Sequence, residues 1–323
     1  MLGRIVIKVL NLIRTYAFEH IFDLFPSVIP ASVPRSRSRA SFTRVTCGGN
    51  PELVMFEKFR LLSFLRLLLV SATFLGGFFV WASDARAATE VGGSLTADET
   101  WTLAGSPYVV RANNSQNGLG IPEYVTLTIE PGVVVKFEPT AQLGAAGRLM
   151  AKGTAQAPIV FTSIKDDSVG GDTNGDGLAT APATFDWTRI VFAHVSKQNS
   201  EISFAEIRYA DRCLEPYYLP ILLENVTFRD CYQGVRAVLV DPELVITNST
   251  MRDNFYGLVA EANSQVRLVN SNIYNNKFYG AIAINNNLPV DARHNWWGQA
   301  SGPFHATLNP LGQGNSVTDG ILF

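Results

Sequence analysis

The chain has little from which to build a metal or nucleic-acid site: among 323 residues there are three cysteines, four histidines and 17% charged residues. A net charge of −2 with no basic run in the second half offers no groove for a phosphate backbone, which argues against a nucleic-acid partner. His194, His294 and His305 lie far apart and show no metal-ligand spacing, so each reads as a surface or turn residue. Helical periodicity is also missing. After residue 90 no ten-residue stretch carries it free of Gly, Pro or an Asx cluster, which excludes a helical solenoid.

What the second half does contain is a repeat with a period of 22 to 23 residues. Asn225, Asn248 and Asn270 form one column, Asp230, Asp253 and Asn275 a second, and Gly234, Gly257 and Gly280 a third. Apolar columns run between them: Ile221, Leu244 and Val266; Leu223, Ile246 and Leu268; Phe228, Met251 and Ile273; Val235, Leu258 and Ala281. Within a repeat the apolar residues fall at i and i+2, which is strand spacing. So short a unit cannot bury its apolar face alone and must stack on copies of itself. The expected fold is all-β, a single-stranded right-handed parallel β-helix of about nine coils. Each coil's backbone groups then meet those of coils about 4.8 Å above and below, and Asx side chains at the bends are expected to bond from coil to coil.

The first 87 residues add nothing to that core. Lys58, Arg60 and Arg66 precede an apolar run from Leu67 to Ala82, followed by Ala85-Arg86-Ala87. This is the order of a secretory signal peptide with cleavage after Ala87 or Ala88; a single membrane anchor is the other reading of the run. Residues 55–87 are therefore expected to be the signal and 1–54 an early start or an extended targeting segment. The solenoid occupies 88–323, with an insertion at 164–186 and a cap at 290–323. Export removes 11 of the 26 basic and 5 of the 28 acidic residues, leaving 15 against 23, a net charge of about −8. Bare polyanions are disfavoured partners unless a cation bridges them. Contact with membrane is expected only through the signal segment, and oligomeric state is left open.

Export also bears on the cysteines. Cys213 and Cys231 remain after cleavage, and in neighbouring coils they read as a disulfide or as two free buried thiols.

Three stretches carry a resemblance. They are Trp101 to Val110, Val125-Thr-Leu-Thr-Ile-Glu-Pro-Gly132-Val-Val-Val-Lys-Phe137, and Leu149 to Ser163. They resemble the opening coils of secreted bacterial right-handed parallel β-helix proteins of the pectin-lyase-like superfold. Asn295-Trp296-Trp297-Gly298-Gln-Ala-Ser301-Gly302-Pro303 is similar to the NWWG-x-x-SGP motif that closes many of them. The resemblance covers about residues 95 to 323 and speaks to fold, since most such proteins are recognised by repeats alone. Relatives commonly continue beyond the point where this chain stops, at Asp319 to Phe323, which raises the expectation of a short member or a fragment of a larger surface adhesin.

Three sets of residues could carry chemistry. Asp172-Thr-Asn174-Gly-Asp176-Gly177 is the first half of a calcium loop, hard oxygens at alternate positions before a glycine, with Asp166 or Asp167 to complete it. Position twelve is Ala183 rather than Glu, and a hydrated Gly/Asp turn explains the segment equally. Tyr232, Phe255 and Phe278, with Tyr256 and Tyr279 beside them, form an aromatic column that either holds sugar rings or merely packs at a turn. Asp211, Arg229, Asp230, Arg252 and Asp253 place acids and arginines on one face, as general acid/base catalysis needs. Pectate-lyase relatives use an Arg or Lys base with Asp-bound Ca²⁺ and polygalacturonase relatives use clustered Asp; neither constellation is located here. The expected function is an exported, non-catalytic scaffold of the cell envelope or extracellular space that binds polysaccharide on its flank, with a polysaccharide lyase or hydrolase as the alternative. N-terminal sequencing of the exported protein should begin at Ala88 or Thr89; a first residue before Ala85 contradicts the cleavage.

Overall fold

The computed structural model describes residues 88–112, 117–193 and 199–323. The signal-peptide and early-start expectations for residues 1–87, like His194, lie outside them. From residue 88 onward the chain winds into a parallel β-solenoid of two sheets, one of 15 strands and one of eight, with every strand pairing parallel. The eight rungs of the smaller sheet run from Gly93–Ser94 to Tyr279–Ile284. The solenoid thus has about eight turns rather than nine. The opening coils are longer than the repeat predicts, with Tyr108 opposite Val135 and Val135 opposite Phe161, steps of 27 and 26 residues. The insertion then lengthens the step from Phe161 to Ile207 to 46.

All four apolar columns are interior. Leu223, Ile246 and Leu268, Phe228, Met251 and Ile273, and Val235, Leu258 and Ala281 are fully buried, and Ile221, Leu244 and Val266 nearly so. Toward the first coils the filling is aromatic: Trp187 stacks on Phe137 at 4.0 Å between centroids, and Trp101 on Tyr108 at 4.5 Å. Cys213 and Cys231 are joined in a disulfide with Cα atoms 5.9 Å apart.

Each coil bends where one residue adopts positive φ. Phe204, Asn225, Asn248 and Asn270 take φ of 47°, 54°, 50° and 52° at one corner. Tyr209, Asp230, Asp253 and Asn275 take 67°, 55°, 57° and 56° at a second, and Tyr218, Leu239, Ala262 and Asn285 take 63°, 54°, 55° and 47° at a third. Asn and Asp are the non-glycine residues that enter this region at least cost, so the two polar columns are corners. The glycine column has another cause. A Cβ on Gly257 would stand 2.4 Å from the carbonyl oxygen of Gly280, and one on Gly234 2.5 Å from that of Gly257, so neighbouring coils approach too closely for any side chain.

The expected coil-to-coil bonding by the asparagine column is corrected. Asn248 is exposed, and among the described residues its side-chain amide reaches only Glu224, at 3.4 Å. The buried ladder sits one residue after the corners. Asn254 Oδ1 accepts the Cys231 N–H at 3.0 Å, and its Nδ2 donates to the Phe228 carbonyl and to Asn276 Oδ1, each at 3.0 Å. Asn276 repeats the pattern with Met251 and Asn315. Ser249 and Ser271 do the same at the first corner, accepting the N–H groups of Val226 and Ser249. On the smaller sheet, fully buried Glu215 is held by Arg189 and Arg236 from the coils on either side.

Asn254→Ala leaves several buried donors and acceptors unmet, so it should cost about 3 kcal/mol or more in urea unfolding. Asn248→Ala places alanine at positive φ and should cost about 1 kcal/mol. Equal costs would contradict the assignment of the ladder to the buried column.

Candidate functional site

Residues 164–186 leave the larger sheet after the strand Ile159–Ser163, and the chain re-enters the solenoid in the smaller sheet at Trp187–Ala193. Both roots are tied to the solenoid. Arg208, at the end of the strand Glu201–Arg208, pairs with Asp166 at 2.5 Å and donates to Ser168 Oγ at 3.0 Å and Thr162 Oγ1 at 3.2 Å. Lys136, wholly buried, donates to the Gly171 carbonyl. Burial pulls the Lys136 pKa down, while the carboxylates of Asp166, Asp167 and Asp172 oppose the fall. At the other root Asp186 accepts from Ser163 Oγ at 2.8 Å and Lys165 Nζ at 2.6 Å.

Held this way, the insertion gathers Asp167, Asp172 and Asp176, with carboxylate oxygens within 4.8 Å of one another. Asp172 accepts the N–H groups of Gly177 and Gly175 at 2.8 and 2.7 Å, which lowers its pKa, and both glycines have positive φ. Burial, then the Asp172 charge, raises the pKa of Asp167. Asp167 Oδ1 and Asp176 Oδ1 are buried without a hydrogen-bond partner among the described residues. Of the five predicted ligands, Asp167, Asp172 and Asp176 converge, Asn174 lies beside them through Asp176, and Asp166 does not join them. Asp166 turns inward to Arg208, Thr162 and Ser168, and the Asn174 amide donates to Asp176 Oδ2 and Thr180 Oγ1. A set of hard carboxylate oxygens with two unpaired acceptors suits Ca²⁺ or a similar hard cation.

The aromatic column lies just past the second corner, and the insertion extends it. Phe185, from the insertion's last turn, leans on Tyr232 at 5.1 Å and Phe255 at 6.2 Å. Thr184 Oγ1 bonds the Asp230 carbonyl at 2.8 Å and pins that turn in place. From there ring contacts continue: Tyr232 with Phe255 and Tyr256 at 5.5 Å each, Phe255 with Phe278 at 5.7 Å, and Tyr256 nearly parallel to Tyr279 at 6.4 Å. Phe185 and Phe278 remain 55% and 47% exposed, so the rings form an open edge. The Lys277 ammonium rests 4.5 Å from the Phe255 centroid. Sequence reasoning missed Phe185 and Lys277. Phe185 belongs to no column, because the insertion and not the repeat delivers it.

The acid and arginine set is engaged in ion pairs. Arg229 pairs with Asp230 and with Glu206, Arg252 with Asp253 at 2.5 Å, and Arg212 lies 3.7 Å from Asp211. Asp230 and Asp253 are corner residues whose charges are matched by the arginine before them, which is what a turn with surface ion pairs requires.

The chain matches no family model, no curated protein and no solved structure.

Burial raises the Asp166 pKa, but hydrogen bonds from Ser168 and Thr162 and the Arg208 charge outweigh it, leaving the group below the ordinary aspartate value of 3.8. A folded pKa below the unfolded one contributes stability that is complete above about pH 4 and is lost as pH falls through the lower folded value. Asp166→Asn should therefore lower the urea midpoint at pH 7 and leave less to lose between pH 4 and 2 than the wild type. Parallel pH profiles would contradict the anchor.

Proposed function

We propose that the protein is an exported, non-catalytic β-solenoid scaffold that holds a polysaccharide along its aromatic edge and a calcium ion in its insertion. The reading takes the chain as a member of the right-handed pectin-lyase-like group, on the strength of the Asn295-Trp296-Trp297-Gly298 segment. In that segment Asn295 Oδ1 accepts the Ser271 N–H at 2.7 Å and Trp297 closes the core. Its neighbour Trp296 is 47% exposed.

The observation that carries the proposal is the edge itself. Six aromatic rings, Phe185, Tyr232, Phe255, Tyr256, Phe278 and Tyr279, stand in unbroken contact over successive coils and stay partly exposed. Pure packing would favour burying such rings, because most of their stabilisation comes from area removed from water. Coils rise by about 4.8 Å, close to the length of a sugar unit, so a glycan running along the solenoid meets a ring at each step. Apolar ring faces match the C–H faces of sugars, and the Arg229/Asp230 and Arg252/Asp253 pairs beside them offer donors and acceptors to hydroxyls. Burial, then the neighbouring Tyr232, raises the Tyr256 pKa, keeping its phenol neutral and able to donate.

Retention on a panel of polysaccharide gels, with chain ends assayed in parallel, tests this. The expected result is retention without new chain ends, weakened about tenfold or more in a Tyr256→Ala/Tyr279→Ala variant that folds normally. New ends, or undiminished retention in the variant, would contradict it. For the cation, titration calorimetry with Ca²⁺ should give heat that disappears in Asp172→Asn/Asp176→Asn. Because Asp167 holds its proton to higher pH than an ordinary aspartate, affinity should fall on acidification toward about pH 4, starting at a higher pH than the protonation of an ordinary aspartate would give. Absence of heat up to millimolar Ca²⁺ would remove the site.

A further inference from the structure

The aromatic edge stops at a rung that lacks its ring. Above the strand Tyr279–Ile284 the next layer is built by residues 315–318, with the Gly280 N–H bonded to the Ser316 carbonyl and Ala281 bridged to Val317. This layer carries Asn315 and Ser316 where an aromatic pair would continue the column. One layer further, the Val317 N–H bonds the Phe304 carbonyl at 2.9 Å, and the ring of Phe304 is 41% exposed. The missing rung is a cleft of about 440 Å³ between Phe278 and Tyr279 on one side and Phe304 on the other, with His305, Thr318 and Asp319 along its wall. A smaller cleft of about 280 Å³ continues past Lys277 and Phe278 toward Gln299 and Gln313.

The lining chemistry is mixed in sign and has bonding capacity to spare. Lys277 has no carboxylate partner among the described residues; its ammonium lies over the rings of Phe255 and Phe278. The Asp319 side chain is 99% exposed and, among the described residues, meets only His305 Nε2, at 3.2 Å. His305 is itself buried, and its Nδ1 accepts the N–H groups of Leu308 and Thr307 at 3.1 and 3.3 Å, so the ring's proton sits on Nε2 and faces Asp319. The Gln299 and Gln313 side chains make no hydrogen bond among the described residues. Asn315 is committed to the buried ladder and is not free to bind. A slot with aromatic side chains on two sides, one cation and one anion selects no net charge, and the free amides line the smaller cleft that adjoins it. The slot fits a flat, hydroxyl-rich ring, in a volume within the range of small-ligand sites.

We propose that this slot takes the terminal sugar of a neutral glycan, so that the polysaccharide on the edge is held by its end and not only along its length. In the slot the sugar replaces the absent aromatic pair: its faces lie against Phe278 and Phe304, and its hydroxyls bond Lys277 and Asp319. The proposal rests on the glycan reading of the edge, and the two can fail separately.

The test uses the full-length protein and neutral hexasaccharides of β-1,4-linked glucose, xylose, mannose and N-acetylglucosamine. Each is offered free, blocked at the reducing end, or blocked at the other end with a bulky fluorophore. For a hexasaccharide that binds, blocking one particular end should weaken binding about tenfold or more, while blocking the other has little effect. Phe304→Ala, which removes one face, and Ala306→Trp, which fills the cleft from an exposed position, should weaken the free form by a similar factor with the melting temperature unchanged. Equal binding of both end-blocked forms overturns the slot and leaves the edge reading standing, and so does undiminished binding by both cleft variants. Failure of the wild type to bind any of the glycans overturns both.

Discussion

Every coil of this solenoid depends on backbone hydrogen bonds that only a neighbouring coil can supply. In a parallel stack the N–H and C=O groups of each rung point along the axis, and leaving them unmet in a buried setting costs more than any single side-chain contact returns. Register follows from this requirement. Once Leu223 is opposite Ile246 and Ile246 opposite Leu268, every residue one period on falls in the same column, and a side chain chosen for one coil is repeated in space at the coil spacing. The corners, the close-packed glycines and the buried asparagines each serve to keep that register. The side-chain amides of Asn254 and Asn276 pick up backbone groups that the bends withhold from the sheets.

The same constraint makes a continuous aromatic surface from a short repeat. A ring placed two residues before the repeat glycine in three coils becomes a continuous aromatic edge without any long-range design, because the backbone fixes the separation. What the repeat cannot supply comes from departures from it. The insertion brings Phe185 to the start of the edge and the carboxylates of Asp167, Asp172 and Asp176 to one place. The cap brings Phe304 and His305 to the other end, where the column lapses.

Legibility in the sequence divides along this line. The apolar columns were readable because strand alternation and a fixed period leave one way to bury them, and all are interior. The Asn and Asp corners were readable as positions, since those residues tolerate positive φ, but their bonding role was assigned one residue too early. The buried partners vary among Cys231, Asn254 and Asn276 and then jump 39 residues to Asn315, outside the period. Phe204, Tyr209, Leu239 and Ala262 occupy equivalent corners although residue type gives no hint of it; coil pairing overrides local preference there. The coil count came out one too high because the opening coils are longer than the later repeat. In the insertion, the alternating acids pointed to the right loop. Asp166 and Asp167 were indistinguishable until Arg208, 42 residues beyond Asp166, claimed the first.

The central claim is that the edge built by this register is a ligand surface. Hydrogen–deuterium exchange on the full-length protein, with and without the polysaccharide it retains best, tests it most directly. The account predicts added protection confined to residues 230–232, 253–256 and 276–279 with the adjoining cap residues 304–319, and unchanged exchange in the strands of the opposite faces. Protection spread evenly over all coils, or centred on the flat of either sheet, would contradict it.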